Sequence, residues 1–508
     1  MKVLAPLLLT LMFFASPALA APSVTIAQGR LAGTSGDGVD AFRAIPYAAP
    51  PVGALRWRAP AAPKAWSGVR DASAFGPVCP QPPVNWAGHD LDRQSEDCLT
   101  LNVWTPKLGS LARLPVMVWF HGGGYTNGSG SQATYEGTKL ARRGVVIVTV
   151  NYRLGALGFL AHPALTAESP LHTSGNYGLL DQIAALKWVR ANIARFGGNP
   201  NNVTILGQSA GGGSAMLLTV SPLGRGLFQK AIFESGAALN LPSGAKGAGP
   251  RLPQAEQAGV ALASSLHAKG LAALRALPPS AFLGRDVPGV SRGPIIDGKI
   301  VLEDVTAAYR AAREAQVPIL EGWNSDEAAR FLGKVTRANY LANLKSFGPL
   351  APDLLRIYPA ATDSEATQAA IDLASDTEFG WRGWSLAEAR LSRGSPPLFL
   401  YQFDNPPPGP NGTRTPGAVH SDELSYVWGN DNHGNGWSQS DQDLENTIQS
   451  YWVNFARTGN PNGAALVRWL PYRPGRTALW FRNGKAASGP VLREGQLRAL
   501  DQALRAKH

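Results

Sequence analysis

The chain has 508 residues, of which 44% are hydrophobic and 16% are charged, with a formal net charge of +11. The low charge content and the 14 Trp residues exclude a disordered chain. Lys and Arg are scattered, with the densest cluster at Arg142-Arg143, so we expect a solvated basic surface and no nucleic-acid-binding stripe.

The N-terminal residues 1–20 have the pattern of a secretory signal peptide. Lys2 supplies a positive charge, Val3 to Phe14 form an apolar run, and Ala18-Leu19-Ala20 supplies small residues for cleavage after Ala20. No later segment offers the roughly 18 consecutive apolar residues of a membrane span. We therefore predict a soluble, exported product, either secreted or periplasmic.

Short apolar runs along the rest of the chain predict buried strands of a mostly parallel sheet. They are Val116 to Phe120, Val145 to Val150, Val203 to Leu206, Ala231 to Phe233, Val317 to Leu320 and Leu398 to Phe403. Apolar residues at helical spacing from Leu179 to Phe196 predict a helix that Gly197-Gly198 ends. Strands that alternate with helices indicate a three-layer α/β fold.

Two longer stretches, about 250–315 and 328–395, are rich in Ala, Leu and Arg and have helical patterning. We expect them to be helical insertions over the C-terminal edge of the sheet. Because no Ser/Gly-rich or Pro-rich linker separates them from the strands, the sequence predicts one domain over residues 21–508.

Cys79 and Cys98 are the only two cysteines of the chain. In an exported protein an isolated pair of this kind predicts one disulfide. A metal site is disfavoured because no His or third Cys lies nearby at ligand spacing.

The segment Gly207-Gln208-Ser209-Ala210-Gly211 is a G-x-S-x-G motif. It follows the predicted strand Val203 to Leu206 and precedes a segment that can form a helix, which is the context of a nucleophile elbow. The following helix N-terminus aims N–H groups at developing negative charge. The motif predicts Ser209 as a catalytic nucleophile, and the alternative is an ordinary Gly-rich turn.

His121-Gly122-Gly123-Gly124-Tyr125 follows the predicted strand Val116 to Phe120. Glycines let the backbone approach a substrate closely, and HGGG loops supply N–H donors to the oxyanion of ester hydrolysis. We predict Gly123, Gly124 and Ala210 as the oxyanion-hole donors, with a flexible loop as the alternative.

A nucleophilic Ser needs a base and an acid, which follow it along the chain in the order Ser, acid, His. Of the eight histidines, only His420 lies in a loop after the late strand Leu398 to Phe403. For the acid, Glu321 sits too close to its strand, while Asp326 and Glu327 both remain candidates. Asn324-x-x-Glu327 is also a capping-box pattern, so Glu327 has a purely structural alternative.

Ordered motifs along almost the whole chain resemble the type-B carboxylesterase and lipase family, which includes acetylcholinesterase and bacterial para-nitrobenzyl esterases. The motifs are FRAIPYAAPPVGALRWRAP (Phe42 to Pro60), SEDCLTLNVWTP (Ser95 to Pro106), HGGGY, NYRLGALGFL (Asn151 to Leu160), GNYGLLDQIAALKWV (Gly175 to Val189), FGGNPNNVTILGQSAGG (Phe196 to Gly212), FQKAIFESG (Phe228 to Gly236) and GAVHSDELSYVWG (Gly417 to Gly429). The resemblance implies an α/β-hydrolase fold and the hydrolysis of carboxylic esters.

Carried over residue by residue, the family pattern implies Ser209 as nucleophile, His420 as general base and Glu327 as the acid. It also implies the Cys79–Cys98 disulfide. Two structural ion pairs follow from the same motifs, Arg56 with Glu96 and Arg153 with Asp181. One departure is Gln208, which replaces the Glu beside the nucleophile of cholinesterases and so removes a negative charge that favours cationic substrates.

The implied reaction passes through an acyl-enzyme and needs no metal or organic cofactor; its partner is a small-molecule ester. An amidase or carbamate hydrolase on the same triad is one alternative, which turnover of an ester against its matched amide would separate. A non-catalytic, adhesion-type relative is the other, and the presence of all three triad positions argues against it. The acyl and alcohol groups and the oligomeric state are not readable from the sequence.

Overall fold

The computed structural model describes residues 21–83, 93–236, 250–284, 293–391, 393–409, 411–430, 436–473 and 477–506. The predicted signal peptide, residues 1–20, lies outside this part of the chain, and export of the protein stays a prediction.

The strands of the described ranges are numbered in chain order. They are β1 (Ser23–Ile26), β2 (Gly29–Ala32), β3 (Thr34–Gly36), β4 (Val39–Pro46), β5 (Val69–Asp71), β6 (Thr100–Thr105), β7 (Leu114–Phe120), β8 (Val146–Val150), β9 (Gly198–Gln208), β10 (Lys230–Glu234), β11 (Ile319–Asn324), β12 (Leu398–Asp404), β13 (Thr477–Arg482) and β14 (Lys485–Pro490).

The α-helices of the same ranges are numbered likewise. They are α1 (Thr138–Ala141), α2 (Gly155–Phe159), α3 (Pro163–Glu168), α4 (Tyr177–Asn192), α5 (Ala210–Val220), α6 (Leu252–Ser265), α7 (Leu271–Ala276), α8 (Val305–Arg310), α9 (Arg337–Lys345), α10 (Ala351–Ile357), α11 (Asp363–Ser375), α12 (Trp381–Leu391), α13 (Leu424–Trp428), α14 (Gln439–Thr458) and α15 (Glu494–Ala506).

A mixed sheet of 11 strands forms the centre of the fold, in the order β14-β13-β12-β11-β10-β9-β7-β8-β6-β4-β3. The strands from β13 to β8 in this order pair in parallel, and the outer pairs are antiparallel. A second sheet joins β1, β2 and β5 near the N-terminus. The predicted α/β-hydrolase fold with a mostly parallel central sheet is confirmed.

Helices cover both faces of the large sheet because successive side chains of its strands point to opposite sides. On β7, Val116, Val118 and Phe120 belong to the core under α4, α5 and α12. Met117 and Trp119 belong to the opposite core, which α14 covers. Buried on both sides, these strands have the continuous apolar sequences from which they were predicted.

Two predicted strands end earlier than the strands of the structure. The predicted strand Val203 to Leu206 is the middle of β9, which continues through Gln208. The strand predicted to end at Leu320 continues to Asn324 as β11, because Glu321 and the residues after it pair with β12. The predicted helix over residues 179–196 is α4, followed by one 3₁₀ turn that Gly197 ends in the left-handed conformation (φ 83°).

The two predicted insertions are largely helical within the described ranges. The first contains α6, α7 and α8, and the second contains α9 to α12. A π-helical turn, Asp376–Gly380, joins α11 to α12. No helix in the described ranges is long and apolar enough to cross a membrane.

Candidate active site

Ser209 lies at the sharp turn between β9 and α5, at the carboxyl edge of the parallel strands. Its backbone has φ 57° and ψ −123°, a conformation that L-residues rarely adopt. The turn is held by a hydrogen bond of 2.9 Å from the Ser209 N–H to the carbonyl of Glu234 on β10. The strand, the strained residue and the helix are thus arranged as a nucleophile elbow requires.

Gly211 lets this turn pack directly on the sheet. A Cβ at Gly211 would lie 1.9 Å from the carbonyl oxygen of Phe120, the last residue of β7. A Cβ at Gly207 would lie 2.4 Å from the backbone of Gly211. Any side chain at either position would push α5 away from β7, so the two glycines of the motif are required by close approach.

The HGGG loop lies beside Ser209. A Cβ on Gly122 would be 3.2 Å from the Cβ of Ser209, while Gly123 has φ 107° and faces the backbone of Asn127. Gly123 and Gly124 line the same cavity as Ser209. Ala210 is the first residue of α5, where a backbone N–H has no partner within the helix. Gly123 and Gly124 thus share a cavity with Ser209 and Ala210 follows it in the chain, while their role as oxyanion donors stays a prediction.

His420 and Glu327 are in direct contact. The Nδ1 of His420 lies 2.6 Å from Oε2 of Glu327, and both side chains are buried. The other carboxylate oxygen of Glu327 accepts the Asn324 N–H at 2.8 Å. This contact joins the two residues of the capping-box pattern, but Asn324 ends β11 and the 3₁₀ turn begins at Glu327, so it caps no helix N-terminus. Asp326, the competing candidate, is partly buried, and its carboxylate lies against Gly417 instead.

Gln208 contacts the other nitrogen of the imidazole. Its side-chain Nε2 lies 3.2 Å from Nε2 of His420, and Gln208 is buried. When Nδ1–H donates to Glu327, Nε2 of His420 carries the lone pair, which accepts the Gln208 amide N–H. The sequence placed Gln208 next to the nucleophile, but this contact joins residues 212 positions apart, and no local pattern indicates it.

Aromatic side chains of the second insertion flank His420. The rings of Phe379 and Phe331 lie 4.8 Å and 5.3 Å from the imidazole. Phe379 is placed by the π-helical turn, a distortion that occurs often at functional sites. With Tyr135 and Leu424 they form the apolar wall of a cavity of about 740 Å³ that also contains Ser209 and His420. This volume suits a small-molecule ligand.

Buried carboxyl groups lie behind the triad residues. Burial raises the pKa of Glu423 well above its ordinary value, and the nearby charge of Glu327 raises it further. Asn324 donates its side-chain N–H to Glu423 at 2.5 Å. Burial raises the pKa of Glu234 to about 8, against the opposing hydrogen bond from Trp452. Burial therefore favours the neutral, protonated form of both Glu423 and Glu234.

The buried Glu234 leads to a prediction about stability. The pKa of Glu234 is about 8 in the folded protein and about 4.5 in the unfolded chain, so the folded state binds its proton more tightly. The resulting contribution to the free energy of unfolding is complete below about pH 4.5 and is lost as the pH rises through about 8. We expect the free energy of unfolding to fall by about 2 kcal/mol more between pH 6 and pH 8 in the wild type than in Glu234→Gln. Denaturant titrations at both pH values measure the difference. Equal pH dependence in the two proteins would mean that Glu234 is ionised in the folded state.

Residues of the predicted disulfide and ion pairs lie together around a second, small pocket. Cys79 and Cys98 form a disulfide. Arg56 pairs with Glu96 at 2.5 Å and also donates to the carbonyl of Leu277 at 2.6 Å, so it ties an N-terminal loop to the first insertion.

Arg153 pairs with Asp181 of α4, with Nη2 2.7 Å from Oδ1, and both side chains are buried. Its Nε also donates to Asp181 Oδ2 at 2.7 Å, which makes the contact bidentate. The pair anchors the loop after β8 to α4. Removing one member of such a buried pair leaves an uncompensated charge, which costs about 3–5 kcal/mol.

Comparisons with known proteins identify the family of the chain. The family model described as "Carboxylesterase family" matches residues 20–486. The chain is 39% identical to the fumonisin B1 esterase of Sphingopyxis macrogoltabida, over 87% of this chain and 83% of that protein. It is 37% identical to the para-nitrobenzyl esterase of Bacillus subtilis (strain 168), over 88% and 92%.

More distant relatives and solved structures agree. The human cocaine esterase is 34% identical over 92% of this chain and 88% of its own length. A solved para-nitrobenzyl esterase structure superposes with a TM-score of 0.80 at 35% identity, covering 96% of this chain and all of that one. The chain belongs to the type-B carboxylesterase family, close to the para-nitrobenzyl esterases, and is a carboxylic-ester hydrolase.

Proposed function

We propose that this carboxylic-ester hydrolase acts through a Ser209–His420–Glu327 triad and an acyl-enzyme. The observation that carries the proposal is the 2.6 Å contact between His420 and Glu327, made by a histidine that shares one cavity with Ser209. The strained backbone of Ser209 supports it, since such strain is retained at sites where the surrounding structure imposes it.

The proposed reaction has two halves. His420 accepts the Ser209 proton through Nε2 while the Ser209 oxygen attacks the ester carbonyl. The resulting oxyanion accepts hydrogen bonds from the N–H groups of Gly123 and Gly124 in the HGGG loop and of Ala210. His420 then gives the proton to the departing alcohol, which leaves an acyl-enzyme. A water molecule, deprotonated by His420, releases the acid and restores Ser209.

Glu327 serves the imidazole in both halves. Its Oε2 accepts Nδ1–H, which fixes the tautomer that exposes the Nε2 lone pair and stabilises the imidazolium that forms. The Gln208 side-chain N–H donates to this lone pair, with 3.2 Å between the two Nε2 atoms. The Ser209 hydroxyl therefore competes with the Gln208 amide as hydrogen-bond donor to His420. Gln208 is neutral, so it does not favour the imidazolium as a carboxylate would.

The relatives support the reaction class and no single substrate. Their names specify different esters, those of fumonisin B1, para-nitrobenzyl alcohol and cocaine. The alternative of an amidase or carbamate hydrolase has no specific support from the site.

The pH dependence of turnover tests the base. We expect kcat/KM on a neutral ester to fall as the pH is lowered from 8 to 5, because a general base must be uncharged to accept a proton and imidazole is the side chain suited to this role near neutral pH. Stopped assays on an enzyme shown to stay folded at each pH measure the profile.

Asp422 is the matched control for that profile. Burial raises its pKa to about 6, despite the hydrogen bond from Val419 and the charge of Arg330, so it titrates in the same window. If His420 is the base, kcat/KM of Asp422→Asn should still fall at low pH as it does in the wild type. Loss of that fall in the variant, or a flat wild-type profile, would contradict the proposal.

A further inference from the structure

The charge of the cavity is unbalanced. Among its described lining residues, Arg330 is the only one with a permanent charge, and no Asp or Glu lines it. Apart from the imidazole of His420, the other polar side chains that line it carry hydroxyl or amide groups, including Gln208 next to the nucleophile. Low-dielectric walls strengthen the field of a single charge within such a cleft. Arg330 is therefore the one permanent charge that a ligand would meet on the described walls of this cavity.

Arg330 is placed close to the reacting groups by the chain itself. It ends the 3₁₀ turn that begins with Glu327, and the next residue is Phe331, whose ring lies 5.3 Å from that of His420. The Arg330 side chain is 58% exposed, and the Phe331 residue is 62% exposed. A cationic group and an apolar group thus stand side by side at the cavity wall, both accessible to a ligand.

The contact of Arg330 with the protein leaves donors for a ligand. Its Nη2 lies 3.5 Å from Oδ1 of Asp422, a long ion pair. Asp422 also accepts the Val419 N–H at 2.8 Å through its other oxygen. A guanidinium has five N–H donors and binds a carboxylate through two of them in a planar, bidentate arrangement. The single long ion pair with Asp422 leaves most of the N–H donors of Arg330 available to a ligand.

We propose that the enzyme selects esters that carry a carboxylate in addition to the scissile ester, and that Arg330 is the residue that recognises it. This inference rests on the proposed function of the cavity as the ester-binding site. The apolar part of the substrate lies against Phe331 and Phe379, and its carboxylate binds the guanidinium. A carboxylate in place of Gln208 would repel such a substrate, so the neutral amide there fits the same selection.

Two pairs of substrates matched in size test the proposal. The acyl-side pair also shares its leaving group, whereas the leaving groups of the alcohol-side pair differ, so that pair is judged by how Arg330→Gln changes its ratio of kcat/KM values. The acyl-side pair is the para-nitrophenyl monoester of adipic acid and the para-nitrophenyl ester of adipic acid monoamide. The alcohol-side pair is para-acetoxybenzoate and para-acetoxybenzamide. We expect kcat/KM to favour the carboxylate member of at least one pair by about two- to fivefold at low ionic strength, the size of a partly exposed ion pair. The preference should shrink in high salt, which screens exposed charges.

Variants assign the preference to Arg330. Arg330→Gln should abolish it, and Arg330→Lys should retain part of it. Arg356→Gln is the matched control, because Arg356 is 68% exposed, pairs with Asp353 at 3.4 Å and does not line the cavity. Asp422→Asn, which removes the carboxylate that offsets Arg330, should increase the preference.

The outcomes separate this inference from the proposed function. The neutral, carboxamide-bearing esters test the proposed triad alone: the wild type should hydrolyse them and Ser209→Ala should not. A preference in one pair, removed by Arg330→Gln and kept by Arg356→Gln, establishes the inference and shows on which side of the ester the carboxylate binds. Equal turnover within both pairs, or a preference that survives Arg330→Gln, overturns it while leaving the esterase mechanism intact.

Discussion

Ser209→Ala is expected to lower kcat for ester hydrolysis by several orders of magnitude, on the order of a millionfold. The variant removes only the hydroxyl that attacks the carbonyl. Ala and Ser are equally strained in a backbone conformation with φ 57°, so the free energy of unfolding should change by less than about 1 kcal/mol. Initial rates on a neutral ester and a denaturant titration measure the two quantities.

Ser209→Gly is the companion variant for the same site. It should be as inactive as Ser209→Ala but more stable by about 1 kcal/mol or more, because glycine adopts this backbone conformation without strain. Covalent labelling of the wild type with an organophosphate, followed by peptide mapping, provides an independent check. Label on another Ser, or substantial turnover by either variant, would show that Ser209 is not the nucleophile.

The elbow could be predicted from the sequence because all of its determinants are local. A buried strand, two glycines in close approach and a helix lie within residues 198–220, and each has its own sequence pattern. His420 was predicted by its order in the chain. The structure brings these segments together at the carboxyl edge of the parallel strands, where ligands bind in open α/β sheets.

The end of β11 could not be predicted because polar residues and a glycine interrupt its apolar sequence after Leu320. Glu321 and Asn324 are buried within the strand, while the hydrophobic pattern stops at Leu320. Their place in the sheet depends on pairing with β12, a segment about 80 positions away. This extension decides where the following turn begins, and therefore which of two adjacent carboxylates reaches His420.

The cavity wall was also beyond sequence analysis. The pattern of residues 328–395 predicted helices, but the π-helical turn that places Phe379 depends on how the insertion packs. No sequence pattern distinguishes Arg330, and only its position beside the cavity points to a role. Substrate selection is therefore the property that the sequence predicts least well.

Glu327→Gln tests the part of the triad that the sequence left open. In the wild type, Oε2 accepts Nδ1–H from His420 at 2.6 Å and Oε1 accepts the Asn324 N–H at 2.8 Å. A Gln in the same place can keep the second contact with its carbonyl oxygen. Its amide then faces Nδ1 of His420 as a donor, which forces the imidazole into the tautomer that protonates Nε2 and blocks proton transfer from Ser209.

We expect Glu327→Gln to lower kcat on the order of 10⁴-fold, the effect of the wrong tautomer in a triad. Its stability should change little, because the Asn324 contact survives and the loss of charge relieves the repulsion that raises the pKa of Glu423. Asp326→Asn is the matched control, since Asp326 is the adjacent acid and lies against Gly417 instead. It should lower kcat less than tenfold. If the two variants behave the other way round, the acid is Asp326, and Glu327 only holds the end of β11 through its contact with the Asn324 N–H.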